Sequence, residues 1–152
     1  MIKKKKKLVV EPFDDIRIIG ICTRIEDYKL AWFINKILEV NLIKYEDIIN
    51  EDEQPFSFYL HDGGENRNTF NLVALSNGTS KWVNFSPATD YLLVIRNFIT
   101  DENLQDIVTK IKTIPDVFFS YLIDLDKNNK IDTILEDIEM HEMYLSRQAE
   151  KS

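Results

Sequence analysis

The segment richest in oxygen ligands is Asp124-Leu125-Asp126-Lys127-Asn128-Asn129-Lys130-Ile131-Asp132. Counted from Asp124, it sets side-chain oxygens at positions 1, 3, 5 and 9 and an aliphatic residue at 8. An EF-hand loop wraps calcium with that spacing. Two demanding positions depart from it. Asn129 stands where glycine makes the sharp turn, and Leu135 stands where a bidentate glutamate closes the site, with Glu136 one residue late. The residues before Asp124 read as a strand, where an EF-hand needs a helix. The expectation is an Asp/Asn-rich strand-to-helix loop and no metal.

The other candidates are thinner. His61 and Asp62 sit with Gly63, Gly64, Glu65 and Asn66 in a turn, and the second histidine, His141, is far along the chain. That is too few ligands for a metal centre. Cys22 is alone, which rules out an internal disulfide and a cysteine metal cluster; in an apolar strand it reads as a small core residue. The sequence contains no Gly-x-Ser-x-Gly, no P-loop and no Gly-x-Gly-x-x-Gly, so no catalytic residue and no cofactor is assigned. What remains is a polar-aromatic set: Tyr28, Trp32, Asn35, Asp90 and Tyr91. Such residues line pockets and interfaces. Their plainer reading is core packing, with Asp90 capping the loop before a strand.

The elements that must position this set follow from hydrophobic periodicity. Ile16–Cys22 is almost continuously apolar, which predicts a strand buried on both faces. A helix should start at Thr23, capped by a Thr23/Glu26 box, and run to about Val40. Leu30, Phe33, Ile34 and Ile37 form its core stripe, and Tyr28, Ala31, Trp32, Asn35 and Leu38 a second sector. Glu46–Gln54 reads as an acidic connector. Phe56–Leu60 and Thr69–Leu75 read as a hairpin about the His61–Asn66 turn, and Asp90–Ile95 as a further strand. Thr100 or Asp101 caps a second helix with the stripe Leu104, Ile107, Val108 and Ile111, stopped by Pro115. Val117–Ile123 is the last strand. Residues 131–148 form a C-terminal helix with Ile131, Ile134, Leu135, Ile138 and Leu145 inward and Glu136, Asp137, Glu139 and Glu142 outward. Lys5–Val10 suits a short edge strand.

This order predicts an α+β fold: a ferredoxin-like split βαβ sheet with an extra strand or hairpin and a C-terminal helix. The 152 residues suit a single domain, with residues 1–7 a basic start and 131–152 the C-terminal helix and tail. Ile18, Ile21, Leu30, Ile34, Leu93, Ile95, Leu104, Ile107, Ile111, Phe119 and Ile123 are expected to share one core.

Several segments resemble the IPExxxVDY family of small uncharacterised bacterial proteins. Gly20-Ile21-Cys22 followed by Asp27-Tyr28-Lys29-Leu30-Ala31-Trp32-Phe33-Ile34-Asn35 is similar to that family's strand and "DY-x-L-x-W-x-L-N" helix. Asp90–Ile95 looks like its "DYFLLI" strand, and Ile114-Pro115 with Tyr121–Asp124 looks like its last helix end and strand. The likeness spans most of residues 16–124. In the name-giving stretch Val83–Tyr91, Asn84 stands where the family has proline and Phe85 where it has glutamate. The resemblance implies a bacterial, cytoplasmic domain and brings no reaction with it.

The formal charge is −7, and the body without Lys3–Lys7 is more acidic still. Such a surface repels nucleic acid and anionic membranes. No apolar stretch approaches the roughly 20 residues of a membrane-spanning helix. The expected function is therefore a non-enzymatic binding or protein-interaction module with an unknown partner or ligand. The alternative is a small enzyme or ligand-binding sensor with a pocket near Asp90, Tyr91 and Asn35. The two-sided first helix also needs a second cover. The C-terminal helix would supply it through Ile131, Leu135 and Ile138, or a second subunit would, making a homodimer. Nucleic acid is not expected as a specific partner. Any binding should require Lys3–Lys7 and fall steeply with salt in a filter assay; salt-resistant, sequence-selective binding would contradict this.

Overall fold

A strand as apolar as Ile16–Cys22 must be covered on both faces, and the arrangement of the chain follows from that. The computed structural model describes residues 15–64, 67–85, 87–127 and 129–151, with only the backbone of 127, 129 and 151. The elements run β1 (Arg17–Thr23), α1 (Asp27–Leu38), β2 (Ile43–Ile49), β3 (Pro55–His61), β4 (Thr69–Ala74), β5 (Tyr91–Arg96), α2 (Asp101–Lys112), β6 (Val117–Leu122) and α3 (Asn129–Lys151). A short 3-10 turn, Leu125–Lys127, joins β6 to α3. The fold is α+β. The six strands lie in the order β2-β3-β4-β5-β1-β6, and every neighbouring pair is antiparallel. No helix among the described residues is long and apolar enough to cross a membrane.

The expectation of one core is corrected to two. Strand side chains alternate, so each central strand feeds both faces. Ile19 and Ile21 of β1 with Leu93 and Ile95 of β5 join Leu30 and Ile34 of α1 and Leu104 and Ile111 of α2. Ile18, Leu92 and Val94 point the other way and join Phe56, Phe58, Ile123 and the Ile131, Ile134, Leu135 and Ile138 stripe of α3. Ile18 and Ile123 thus belong to the α3 side. Ile107 is only partly buried, and Phe119 is 45% exposed.

Other expectations shift locally. β2 occupies part of the stretch read as an acidic connector. Its first five residues are exposed, and Lys44, Glu46 and Asp47 interrupt any apolar run that would reveal it. α1 starts at Asp27, four residues after the expected Thr23. Thr23 stays in β1, and Glu26 at the N-cap makes no side-chain cap. The Thr23 hydroxyl instead donates to Asp116 O at 2.7 Å and accepts from Ile25 N at 3.2 Å. Thr100 does cap α2, accepting from Asn103 N at 3.1 Å. Glu142 was expected to face outward. It turns inward, because Arg96 and the fully buried Asn71 both bond its Oε2. The Lys5–Val10 strand, the Lys3–Lys7 run, Glu65 and Asn66 at the β3–β4 tip, Ser86 and Asn128 lie outside the described residues.

Gly20 faces Tyr121 across the β1–β6 pair, and a Cβ there would come within 2.7 Å of the Tyr121 ring. Any side chain at Gly20 must displace that ring. Leu93 is fully buried between β1, α1 and α2. Leu93→Ala should lose about 2–5 kcal/mol in denaturant unfolding, the usual result for an emptied core site. A loss under about half a kcal/mol would contradict this packing.

Candidate functional site

The end of β1, the start of α1 and the start of β5 meet at one end of the central strands, and their backbone ends must find partners there. Asp90 supplies several. Its N–H donates to Ile21 O, its carbonyl accepts from Leu75 N, and its Oδ2 accepts from Thr23 N, each at 2.9 Å. Tyr91 follows, 9% exposed, with its hydroxyl donating to Ile25 O at 2.8 Å. Asp90 and Tyr91 line an open cleft of about 500 Å³ together with Glu26, Asp27, Ser57 and Asn77.

Asp27 is the most constrained charge in this cleft. Its Oδ2 accepts from the Tyr59 hydroxyl at 3.0 Å and lies 3.4 Å from Lys44 Nζ, and Ser57 also bonds it. Burial alone would raise its pKa. The bonds from Ser57 and Tyr59 and the Lys44 charge outweigh burial and hold the carboxyl below the usual carboxylate range. Burial, then the Asp27 bond and charge, pushes the Tyr59 hydroxyl well up. Burial and the charges of Asp27, Asp90 and Glu26 do the same to Tyr91. Burial also raises the Cys22 thiol. These hydroxyls and the thiol therefore keep their protons at neutral pH. The cleft offers fixed donors and acceptors, and Tyr91 in its lining is held in its protonated form. Among the described residues, no group of three or more His, Cys, Asp or Glu side chains could hold a metal ion.

The five residues singled out in the sequence divide three ways. Asp90 and Tyr91 come together in the cleft. Asn35 does not join them: it ties the end of α1 to the next loop, its Oδ1 accepting from Leu42 N at 2.7 Å and its Nδ2 donating to Leu42 O at 3.3 Å. Tyr28 and Trp32 line a neighbouring apolar groove of about 600 Å³, with Ile25, Phe33, Pro115 and Asp116. Trp32 is 57% exposed, packs edge-on to Phe33 at 5.1 Å and carries Lys36 Nζ 4.9 Å above its ring. The C-terminal helix does not cover this groove. α3 lies on the opposite face of the sheet, where Ile131, Leu135 and Ile138 pack into the second core. Ile25 borders both the cleft and the groove.

The residues that sequence reasoning missed are Ser57, Tyr59 and Lys44, together with the role of Asp27. They come from three elements, and no local spacing links them. His61 has a local task, its Nδ1 accepting from Asn41 N at 2.9 Å. Asp124 Oδ1 accepts from Asp126 N at 3.0 Å, a turn bond in the loop that leads to α3.

No protein-family model matches this chain, and no curated protein matches it in sequence.

The depressed Asp27 pKa has a definite sign. Its contribution to stability is complete above the unfolded carboxylate value of about 3.9 and disappears as pH falls through the lower folded value. Tyr59→Phe should raise the Asp27 pKa and shift the onset of acid unfolding to higher pH. Carboxyl-carbon NMR titration reads the first effect, and an unmoved Asp27 would refute the assignment.

Proposed function

We propose that this chain is a protein-interaction module that docks its partner in the α1 groove. The single observation that carries the reading is Trp32, more than half exposed on a helix whose opposite side, Leu30, Ala31 and Ile34, is buried. Exposed tryptophan and tyrosine beside an apolar concavity are the usual anchors of protein contacts. The cytoplasmic location and the absence of a catalytic role belong to this same reading.

A second reading rests on the cleft, where Asp27 stays ionised among hydrogen-bond donors: a small polar ligand sensed near Asp90 and Tyr91. The groove is favoured because Asp27 and Asp90 already have partners, while Tyr28 and Trp32 present open apolar surface.

We also infer that β6-β1-β5-β4, with α1 and α2, is a ferredoxin-like split βαβ unit to which β2 and β3 add a hairpin. Its support is the position of β1 between β5 and β6, the two strands that α2 connects. Membership of the IPExxxVDY family stands as a proposal too. It is supported by the meeting of Asp27 with Asp90 and Tyr91 in one cleft, which brings two segments of the resemblance together.

Peptides selected from a random displayed library against the full chain test the groove. Trp32→Ala should weaken the selected peptides about tenfold or more, the effect of losing an anchor residue, without changing the melting transition. Phe98→Ala, an exposed aromatic outside the groove, should leave binding unchanged. Peptides that ignore Trp32→Ala and require Tyr91 would overturn the reading in favour of the cleft.

A further inference from the structure

The sheet has two edges among the described residues, and they are built differently. An edge strand presents unpaired N–H and C=O groups to any other strand, and proteins guard such edges with charges, bulges or covering elements. β2 has all three. It carries Lys44, Glu46 and Asp47, its register with β3 breaks between Tyr45 and Ile48, and α3 reaches over it. His141 Nε2 donates to Glu46 O at 2.9 Å, and the Tyr144 hydroxyl donates to the Glu46 carboxylate at 3.1 Å.

β6 has little of this. Its sequence, Val117-Phe118-Phe119-Ser120-Tyr121-Leu122, holds no charge, no proline and no glycine. Phe118 is 64% exposed and Phe119 45%. The register with β1 breaks only at the start, between Cys22 and Thr23, which leaves Phe119 to Leu122 evenly paired. Ile123 N–H donates inward to Ile18 O at 2.9 Å. By the alternation of an antiparallel ladder, Ser120 and Leu122 then turn their backbone groups outward. Ser120 Oγ donates to Val108 O at 3.0 Å and fixes the strand against α2.

We propose that β6 is a dimerisation edge, at which two copies of this chain pair β6 with β6 antiparallel across a two-fold axis. This goes beyond the groove reading and uses a different surface. A second copy is favoured over a foreign strand for two reasons. An antiparallel pair is itself two-fold symmetric, so the edge is its own complement. The charges also match. Arg24 lies 5.9 Å over Phe118 and Lys112 5.7 Å over Phe119, so two cations outnumber Asp116 at the start of the strand. The exposed Asp124 and Asp126 follow its end and outnumber Lys127, the next charge in the sequence. Antiparallel pairing sets each cationic start beside the acidic end of the other copy. It also extends the Phe119–Tyr121 stack, now 5.5 Å between ring centres, across the junction.

Sedimentation equilibrium of the full chain, up to roughly 100 μM, tests this, because that range populates even weak dimers. A dimer is expected. Phe119→Lys, and separately Phe118→Lys, should weaken it about tenfold or more, since a lysine is a common guard against edge pairing. Both side chains face solvent, so circular dichroism should not change. Trp32→Glu should leave the dimer intact, which separates this edge from the groove. A monomer throughout that range overturns the proposal. So does a dimer that Trp32→Glu dissociates and Phe119→Lys does not.

Discussion

A sheet whose central strands are apolar on both faces cannot be left half covered. In β1, Ile18, Ile19 and Ile21 are fully buried; in β5, Leu92, Leu93, Val94 and Ile95 are as well. Each such side chain gains about 1.5–3 kcal/mol by leaving water, and alternation divides that gain between the two faces. α1 and α2 therefore cover only half of the requirement. The chain must return on the other side after β6, and α3 does so. The loop from Asp124 to Lys127 makes that reversal, with Asp124 Oδ1 accepting from Asp126 N to shape the turn. Its calcium-like composition has this local use.

The same constraint explains the chemistry at the sheet end. Where β1 gives way to α1 and β5 begins, backbone groups lose their ladder partners close to both cores. Asp90 restores three of those bonds and Tyr91 a fourth. Asp27, at the first turn of α1, is held by side chains from β2 and β3, so the hairpin strands that extend the sheet also anchor the helix. The cleft has the polar density of a binding site, and much of that density is engaged in closing the fold.

Much of the fold was legible because periodicity follows from burial. The continuous apolar run of Ile16–Cys22 correctly implied two covered faces, yet the candidate core mixed residues of opposite parity, Ile18 with Ile21. A strand read only as apolar hides which face each residue takes. β2 was missed because Lys44, Glu46 and Asp47 give it the composition of a loop, and its pairing with β3 is decided by backbone bonds that composition does not record. Thr23 was read as a helix cap because the capping pattern is local. The tertiary bond to Asp116 O prevailed. For the site, Asp90, Tyr91 and Trp32 stood out as amphipathic groups. Tyr59 and Lys44 gave no signal, because their relation to Asp27 exists only once three elements are assembled.

Trp32 and Tyr28 show what the covered sheet leaves over. α1 needs only its Leu30–Ile34 side to close the first core, so its outer aromatics contribute little to holding the sheet. Lys36 above the Trp32 ring compensates part of that exposure, since a cation over an aromatic face is favourable even in water. Finishing the burial of two aromatic side chains would release at most about 3 kcal/mol each. Association itself costs about 4–15 kcal/mol in lost freedom. Burial in the groove alone is therefore too small for a durable contact, which needs more surface or a run of backbone hydrogen bonds. The groove ends at Pro115 and Asp116, and β6 begins at the next residue. Groove and β6 edge are thus neighbouring but separate surfaces: α1 offers apolar burial, and among the described residues β6 offers outward backbone groups, so each suits a different kind of contact.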